Sequence, residues 1–211
     1  MLQELKITNF AIIDNLSVRA SHNLQADSLR WSDISGSGFT TIAGRFPVNV
    51  GFAHSIYDRD STGARIERFL WEDGGAPLRL RRANASVNGT WTGAGQVPWN
   101  VRAGYTMRLQ RNWRSDLQAD TTILTQNLTF NGDVTLLEDW RITVGSGYDF
   151  TAGEFTNTQV NLMWDLHCWE FSARWVPFGF QQSLQLRLAV KASMLRDVKL
   201  EKRFQGEGLI R

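Results

Sequence analysis

The stretch VPWNVRAGYTMRL, residues Val97–Leu109, alternates apolar and polar residues without interruption over thirteen positions. The odd-numbered positions hold Val97, Trp99, Val101, Ala103, Tyr105, Met107 and Leu109. The even-numbered positions hold Pro98, Asn100, Arg102, Gly104, Thr106 and Arg108. A period of two predicts a β-strand with one apolar face, because successive side chains of a strand point to opposite sides.

The length of this strand indicates the class of protein to which it belongs. Strands in soluble domains have about 5–6 residues. At ~3.3 Å per residue the stretch extends over about 40 Å, and a tilt of ~40° projects this length to about 30 Å. The apolar band of an outer-membrane β-barrel is about 25 Å tall. The stretch therefore predicts a strand of a transmembrane β-barrel.

The composition fits this class and argues against several others. The formal charge of the 211-residue chain is +2, which gives no electrostatic reason to expect a nucleic-acid partner. No run of about 18 apolar residues is present, so a transmembrane helix is not expected. The single cysteine, Cys168, excludes an internal disulfide and a multi-cysteine metal site. The first residues do not resemble a secretory signal.

The same alternation recurs along the chain and predicts an all-β fold, an antiparallel meander of about 8–10 long strands in a transmembrane β-barrel or barrel fragment. We divide the chain into a strand-rich stretch at residues 1–18, a linker or irregular edge at 19–45, the β-barrel segment at 46–195 and a charged tail at 196–211. The last barrel strand is expected at Leu184–Met194.

The predicted connections differ in length on the two sides of the meander. Short turns are expected on one side, at residues 93–96, 137–139 and 165–167. The other side has the connections 58–77, 111–121, 151–154 and 177–183. This asymmetry is typical of outer-membrane barrels, which have short periplasmic turns and longer outer loops.

Two sets of side chains are candidates for function in such a barrel. Basic residues on the polar strand faces would line the lumen: Arg102, Arg108, Arg141, Arg174, Arg187 and Lys191. Tryptophans near the strand ends would lie at the membrane interface: Trp91, Trp99, Trp140, Trp164 and Trp175. The alternatives are a solvated or self-paired polar face and aromatic residues in the core of a soluble sheet.

Catalytic and cofactor chemistry is not expected from the sequence. The histidines at positions 22, 54 and 167 lack metal-ligand spacing, and no GxxxxGK[ST] nucleotide loop occurs. His167 and Cys168 are neighbours, and on a strand their side chains would point to opposite faces. We therefore predict a protein that is not an enzyme and has no cofactor.

Several segments are similar to the C-terminal barrel region of LptD-like lipopolysaccharide-assembly proteins. They are FLWEDGG (69–75), LRRANASVNG (80–89), DLHCWE (165–170), WVPFG (175–179) and VKASML (190–195). The similarity extends from about residue 28 to residue 203. Its most specific positions are Asp165, His167, Cys168, Trp169, Glu170, Trp175, Pro177, Phe178 and Gly179.

This resemblance implies a function in the outer membrane. Proteins of this family form a large barrel that delivers lipopolysaccharide to the outer leaflet, together with a lipoprotein plug and a periplasmic bridge. We therefore expect an outer-membrane barrel segment whose partners are lipid and lipopolysaccharide. The chain has too few strands for the full barrel and lacks the periplasmic N-terminal domain, so an incomplete fragment is expected.

Two other interpretations remain open from the sequence. Residues 1–18, MLQELKITNFAIIDNLSV, resemble the N-terminus of the SMC-like DNA-repair ATPase RecN, which suggests a RecN fragment. The same stretch would also fit an ordinary β-hairpin or a gene-fusion or assembly scar. The third possibility for the whole chain is a soluble β-sandwich or ligand-binding β-barrel.

Overall fold

A computed structural model describes residues 2–10, 13–72, 74–137, 139–179, 181–191 and 198–205. Strands make up 71% of the structure, and the described residues contain no helix. The predicted all-β fold is confirmed. Accordingly, the described part of the chain offers no apolar helix of bilayer-spanning length.

The structure contains fifteen described strands, which we number in chain order. They are β1 (Leu2–Phe10), β2 (Ile13–Ser21), β3 (Ile34–Ile42), β4 (Phe46–Ser55), β5 (Tyr57–Arg59), β6 (Arg65–Phe69), β7 (Arg79–Gly93), β8 (Trp99–Arg114), β9 (Ala119–Leu136), β10 (Trp140–Asp149), β11 (Glu154–Phe155), β12 (Gln159–Leu166), β13 (Trp169–Val176), β14 (Ser183–Val190) and β15 (Lys199–Gln205). β8 and β9 have 16 and 18 residues, far above the usual strand length.

One large antiparallel sheet contains thirteen of these strands. Its order is β1-β2-β3-β4-β7-β8-β9-β10-β12-β13-β14-β15, and β11 pairs with β10 outside this path. β5 and β6 form a separate two-stranded sheet. The predicted meander is therefore confirmed. Among the described residues β1 and β15 do not pair, so the sheet is not closed into a barrel.

The structure differs from the expected segments at several positions. Residues 19–45, expected to be a linker or irregular edge, contain β3, which lies between β2 and β4. The expected charged tail contains β15, which pairs with β14. β14 ends at Val190, and the predicted strand positions Ala192 and Met194 lie outside the described residues.

The chain forms two compact units. Unit 1 comprises residues 1–88 and 106–126, and unit 2 comprises residues 89–105 and 127–211. Strands β1 to β6 belong to unit 1, and β10 to β15 belong to unit 2.

In unit 1, a β-bulge places arginines on the polar face of the sheet. Ala53 pairs with Arg82, and the next residue, His54, pairs with Leu80, so Arg81 is the extra residue. A bulge changes which side chains point to each face. Arg79 consequently pairs with Ser55 on the polar face, while Leu80 lies opposite His54 on the apolar face.

The strand glycines of β3 permit close packing on the apolar face of unit 1. Gly36 pairs with Phe52, and a Cβ atom on Gly36 would lie 2.2 Å from Phe52 Cζ. The phenyl ring therefore lies directly over the Gly36 backbone. This contact explains why a segment rich in glycine and serine forms an internal strand instead of a linker.

Very few apolar side chains of the described residues are buried. They are Ala53, Ile56, Tyr57 and Val176. Many large apolar side chains are instead exposed, including Trp71, Leu128 and Trp169. A soluble β-sandwich would bury alternate residues of each strand in a common core. This exposure pattern does not support the soluble alternative.

Candidate functional site

Unit 2 has one continuous apolar face across five neighbouring strands. The strand registers align three rows of side chains on β9, β10, β12, β13 and β14. The rows are Leu136-Trp140-Trp164-Phe171-Leu188, Val134-Ile142-Leu162-Ala173-Leu186 and Gly132-Val144-Val160-Trp175-Leu184. None of these fifteen positions holds a charged, hydroxyl or amide side chain.

The apolar face continues along β9 and β10. Trp140 pairs with Leu136 and Tyr148 pairs with Leu128, eight residues further along β10. At ~3.4 Å per residue, the apolar face extends for about 27 Å along the strands. Ser146 lies within this length, and its hydroxyl is 2.6 Å from the Thr158 hydroxyl. This hydrogen bond satisfies the polar atom that interrupts the apolar pattern.

The opposite face of unit 2 carries three of the predicted basic residues. Arg141 and Arg187 lie in one register row, with Met163 and Ser172 between them. Arg174 lies in the next row, and its Nε donates to Asn161 Oδ1 at 3.4 Å. All three arginines are exposed. Since strands are ~4.8 Å apart, Arg141 and Arg187 are separated by about 14 Å and share a face without touching.

The remaining predicted basic residues have different surroundings. Lys191 follows β14, and its Nζ donates to Asp165. Arg102 is exposed on the unit 2 part of β8. Arg108 is exposed on the unit 1 part of β8 and lines a cleft there.

The predicted interface tryptophans concentrate at one end of unit 2. Trp91 lies two residues before the end of β7, and Trp99 is the first residue of β8. Both therefore adjoin the connection between these two strands. Trp140 and Trp164 are paired in register and stack with ring centroids 4.4 Å apart. Trp175 lies one residue before the end of β13 instead.

The other end of unit 2 has an aromatic cluster that the sequence did not identify as a group. Tyr148 contacts Phe150 and Phe155 at ring-centroid distances of 5.0 and 5.2 Å. Phe155 contacts Phe178 at 5.7 Å, and Tyr105 contacts Phe150 at 6.2 Å. The sequence predicted Tyr148 and Phe150 on one strand face and Phe178 in a turn, but their convergence depends on the connections 151–154 and 177–183. Aromatic side chains therefore occupy both ends of the apolar face.

The most specific family-like residues form the β12–β13 hairpin and the turn that follows β13. Asp165 pairs with Glu170, and Leu166 pairs with Trp169, leaving His167 and Cys168 as the two-residue turn. His167 has φ +47°, a left-handed conformation suited to such a turn. Pro177, Phe178 and Gly179 follow β13, and Gly179 has φ +91°. The predicted change of strand parity near residues 165–167 is explained by this hairpin.

Unit 1 has a cleft of about 800 Å³ with a mixed polar and apolar lining. Its side chains come from β2, β3, β4, β7 and β8, and they include Arg19, Arg82, Arg108, Asn49, Asn84 and Gln110. None of the described residues that line this cleft is acidic. Arg19 and Arg82 were not among the predicted site residues, although Arg82 shares the parity of Asn84 and Ser86. The cleft is suited to an anionic ligand with hydrogen-bonding groups.

Arginine–aspartate pairs connect the β5–β6 hairpin to other parts of unit 1. Asp33 accepts from Arg65 and Arg81 at 3.0 and 2.7 Å. Asp120 of β9 accepts from Arg59 at 2.5 Å, and the Arg59 guanidinium lies 5.9 Å from the Trp113 ring centroid. These contacts bring the connections 58–77 and 111–121 together, as expected for two loops on one side of the sheet.

Asp58 anchors a second part of this charged cluster. Its carboxylate accepts from Arg68, and from Arg79 at 2.9 Å. The hydrogen bond from Arg68, followed by the backbone of Arg59 and by Arg79, lowers the pKa of Asp58 to about 2. Asp33 Oδ1 and Arg79 Nη1 are buried without a hydrogen-bond partner among the described residues.

The described residues offer surfaces for binding. Within the described ranges there is no group of three or more histidine, cysteine or acidic residues that would hold a metal ion. Cys168 is exposed in its turn. The functional features of these units are therefore an apolar face, polar faces with arginines, and clefts.

A family model described as LptD protein matches residues 3–57, within unit 1. No curated protein and no solved structure matches the chain. The matched interval includes residues 3–18, the greater part of the RecN-like stretch, and β2 of that stretch pairs with β3 of the main sheet. The division of the chain at residue 18 stays a prediction.

Proposed function

Since the match over residues 3–57 indicates an LptD-family protein, we propose that this chain is an outer-membrane β-sheet segment of the machinery that inserts lipopolysaccharide into the outer leaflet. The family suggests a transporter rather than an enzyme. In this proposal the segment forms part of the wall along which lipopolysaccharide moves, and it is a piece of a larger barrel.

The observation that carries the proposal is the two-faced sheet of unit 2. Its apolar face is uninterrupted over three register rows and five strands. Burying apolar surface contributes about 25 cal/mol per Å², so a face of this size is unfavourable in water. Lipid hydrocarbon would remove this cost, while the sheet satisfies its internal backbone groups through strand pairing.

The polar face of unit 2 supports the second half of the proposal. It carries Arg141, Arg174 and Arg187, interspersed with neutral polar side chains such as Asn161 and Gln185 and with the acidic side chains of Asp133 and Glu170. Guanidinium groups bind phosphates through charge-assisted hydrogen bonds. A face of this composition is suited to the phosphorylated sugars of lipopolysaccharide. The cleft of unit 1 also carries arginines, Arg19, Arg82 and Arg108.

The proposed partners follow from the family. They are outer-membrane lipid, lipopolysaccharide, a lipoprotein plug and a periplasmic bridge. The proposed location is the outer membrane, and the proposal requires no cofactor or nucleic acid.

Two adjacent residues of β13 allow a matched test. Ser172 lies on the polar face between Arg141 and Arg187, and Ala173 lies on the apolar face. A photo-crosslinking amino acid is introduced at either position, and the full chain is reconstituted in phospholipid vesicles that contain lipopolysaccharide. We expect position 172 to crosslink to lipopolysaccharide and position 173 to crosslink to phospholipid.

The outcomes separate the two parts of the proposal. If both positions label only phospholipid, the lipopolysaccharide function is wrong while the membrane location stands. If neither position labels lipid in protein that has inserted into the vesicles, the membrane location is wrong as well.

A further inference from the structure

The last described strand, β15, forms one edge of the sheet in unit 2. Its seven residues pair with β14, and among the described residues no strand pairs with its other side. All seven residues are exposed. An edge strand carries a row of backbone N–H and C=O groups that a second strand can satisfy. β15 is therefore a surface on which another strand can dock.

The register with β14 assigns the side chains of β15 to the two faces of the sheet. Leu200 and Phe204 lie opposite leucines of β14, on the apolar face. Lys202 lies between them, opposite Leu186, in the middle row of that face. Its Nζ is 5.0 Å from the centroid of the Phe204 ring. The polar face of the strand carries the remaining side chains: Lys199, Glu201, Arg203 and Gln205.

The sequence of β15 is complementary to itself at most positions. Two copies related by a two-fold axis at Lys202 pair antiparallel, align all seven residues and keep their apolar faces on the same side. In this register Leu200 of each copy faces Phe204 of the other, and Glu201 faces Arg203. The first pair joins apolar side chains and the second joins opposite charges, and symmetry repeats each pair. These cross-strand pairs favour association.

Lys202 is the exception, because in this register it faces Lys202 of the second copy. Directly opposed residues of an antiparallel pair have Cβ atoms about 4.5–5.5 Å apart, and like charges at this separation are destabilising. The neighbouring side chains on the same face, Leu186, Leu200 and Phe204, offer no counter-charge. One repulsive pair therefore opposes the pairing that the rest of the strand favours.

Other registers of two β15 strands are less favourable. A shift of one residue places the apolar face of one copy beside the polar face of the other. A register centred on Glu201 or on Arg203 places that residue opposite itself and again opposes like charges. Registers centred on Leu200 or on Phe204 leave most of the strand unpaired. The register centred on Lys202 is therefore the one that its charge controls.

We propose that β15 is a self-complementary docking edge for a second copy of this chain, and that the charge of Lys202 blocks this docking. Charged side chains on edge strands commonly prevent pairing with another chain. The inference goes beyond the proposed function, because it concerns pairing between proteins at one strand and requires no lipopolysaccharide.

A charge exchange at position 202 tests the register. The unaltered chain and Lys202→Glu, one of them carrying a fused size tag, are refolded separately in neutral detergent and then mixed. A lysine and a glutamate face each other in a mixed pair, whereas each chain alone opposes like charges. We expect the mixed dimer to have about tenfold higher affinity than either homodimer, measured by sedimentation velocity. Lys202→Leu, which removes the charge, should dimerise by itself.

Cysteine variants in a Cys168→Ser background provide a matched control. Lys202→Cys removes the charge and places two thiols opposite each other at a distance that a disulfide can bridge, so oxidation should give a linked dimer. Leu200→Cys lies on the same face two residues away, retains Lys202 and faces Phe204. It should remain unlinked.

Absence of the mixed dimer, when heat-modifiable migration shows that both chains are folded, would overturn the self-complementary edge. Dimers of the unaltered chain as abundant as those of Lys202→Leu would overturn the role assigned to the charge. Equal linking of Leu200→Cys and Lys202→Cys would overturn the register. None of these results affects crosslinking at positions 172 and 173, so the proposed function is judged independently.

Discussion

At the scale of single residues, Gly36 is required by its contact with Phe52. A Cβ atom at residue 36 would overlap the phenyl ring, with distances of 2.2, 2.6 and 2.8 Å to three ring carbons. Gly36→Ala should therefore destabilise the folded chain by about 1–3 kcal/mol, the usual cost of overpacking. Urea unfolding of the detergent-refolded protein measures this free energy.

Gly132 provides the matched control for this substitution. It is also a strand glycine on an apolar face, but its Cβ would meet Phe130 at an ordinary 3.5 Å. Gly132→Ala should be neutral or slightly stabilising, because alanine reduces the freedom of the unfolded chain. Equal destabilisation by the two substitutions would contradict this account.

The lowered pKa of Asp58 predicts that the stability of the β5–β6 hairpin decreases at acidic pH. Its pKa is lowered from 3.8 to about 2, so the folded state favours the charged form. The resulting stabilisation is complete above pH 4 and is lost as the pH falls from about 4 towards 2. The protection factors of the β5–β6 hairpin amides, which are exchange rates corrected for the intrinsic effect of pH, should fall over this interval.

Asp58→Asn tests whether this carboxylate is responsible. The variant should have lower protection factors at neutral pH, and these should change less between pH 4 and 2. If the variant and the unaltered chain show the same pH dependence, another group controls the hairpin.

The positions of the candidate functional side chains were only partly predictable from the sequence. Strand parity placed Arg141, Arg174 and Arg187 on one polar face, and the registers agree with that placement. The arginine–aspartate cluster was not predicted, because its members come from separate parts of unit 1. The bulge at Arg81 also changes the face of Arg79, which strict alternation assigns to the apolar side.

At the scale of the element, the two faces of β12 should respond oppositely to charge. Leu162 lies within the apolar rows, and its neighbour Asn161 lies on the polar face. A lysine on the lipid face of a membrane barrel costs about 2–4 kcal/mol near the bilayer midplane. Leu162→Lys should therefore greatly reduce the fraction that folds into vesicles, whereas Asn161→Lys should leave it nearly unchanged.

Heat-modifiable gel migration measures the folded fraction of both variants. The account is contradicted if Leu162→Lys folds as well as Asn161→Lys, since the two faces of β12 would then have the same surroundings.

Strands with a strong alternation of apolar and polar residues were predicted from the sequence, whereas strands without this alternation were missed. The segment at β8 was predicted, as were β10 and the hairpin of β12 and β13 with its change of parity. β3 was missed because its glycines resemble a linker, although they make room for Phe52 and Val50. β15 was missed because Lys199, Glu201, Lys202 and Arg203 resemble a tail, while charges are common on edge strands.

At the scale of the whole molecule, the scarcity of buried apolar residues predicts a requirement for amphiphiles. Four buried apolar side chains among the described residues cannot offset the conformational entropy of a folded chain of this length. Refolding in plain buffer should give aggregates, whereas refolding in detergent should give a species with heat-modifiable migration. A monodisperse monomer in buffer, observed by light scattering, would contradict this prediction.

The proposal that this sheet crosses a membrane is tested most directly by site-directed spin labelling along β10. The labelled chain carries Cys168→Ser and is placed in lipid vesicles. Labels at positions 141 to 145 should alternate, with high collision rates with oxygen at 142 and 144, and with a water-soluble nickel complex at 141, 143 and 145. This alternation would place lipid on one face and water on the other. Accessibility without a period of two, or nickel access at 142 and 144, would contradict the proposal that this sheet crosses a membrane.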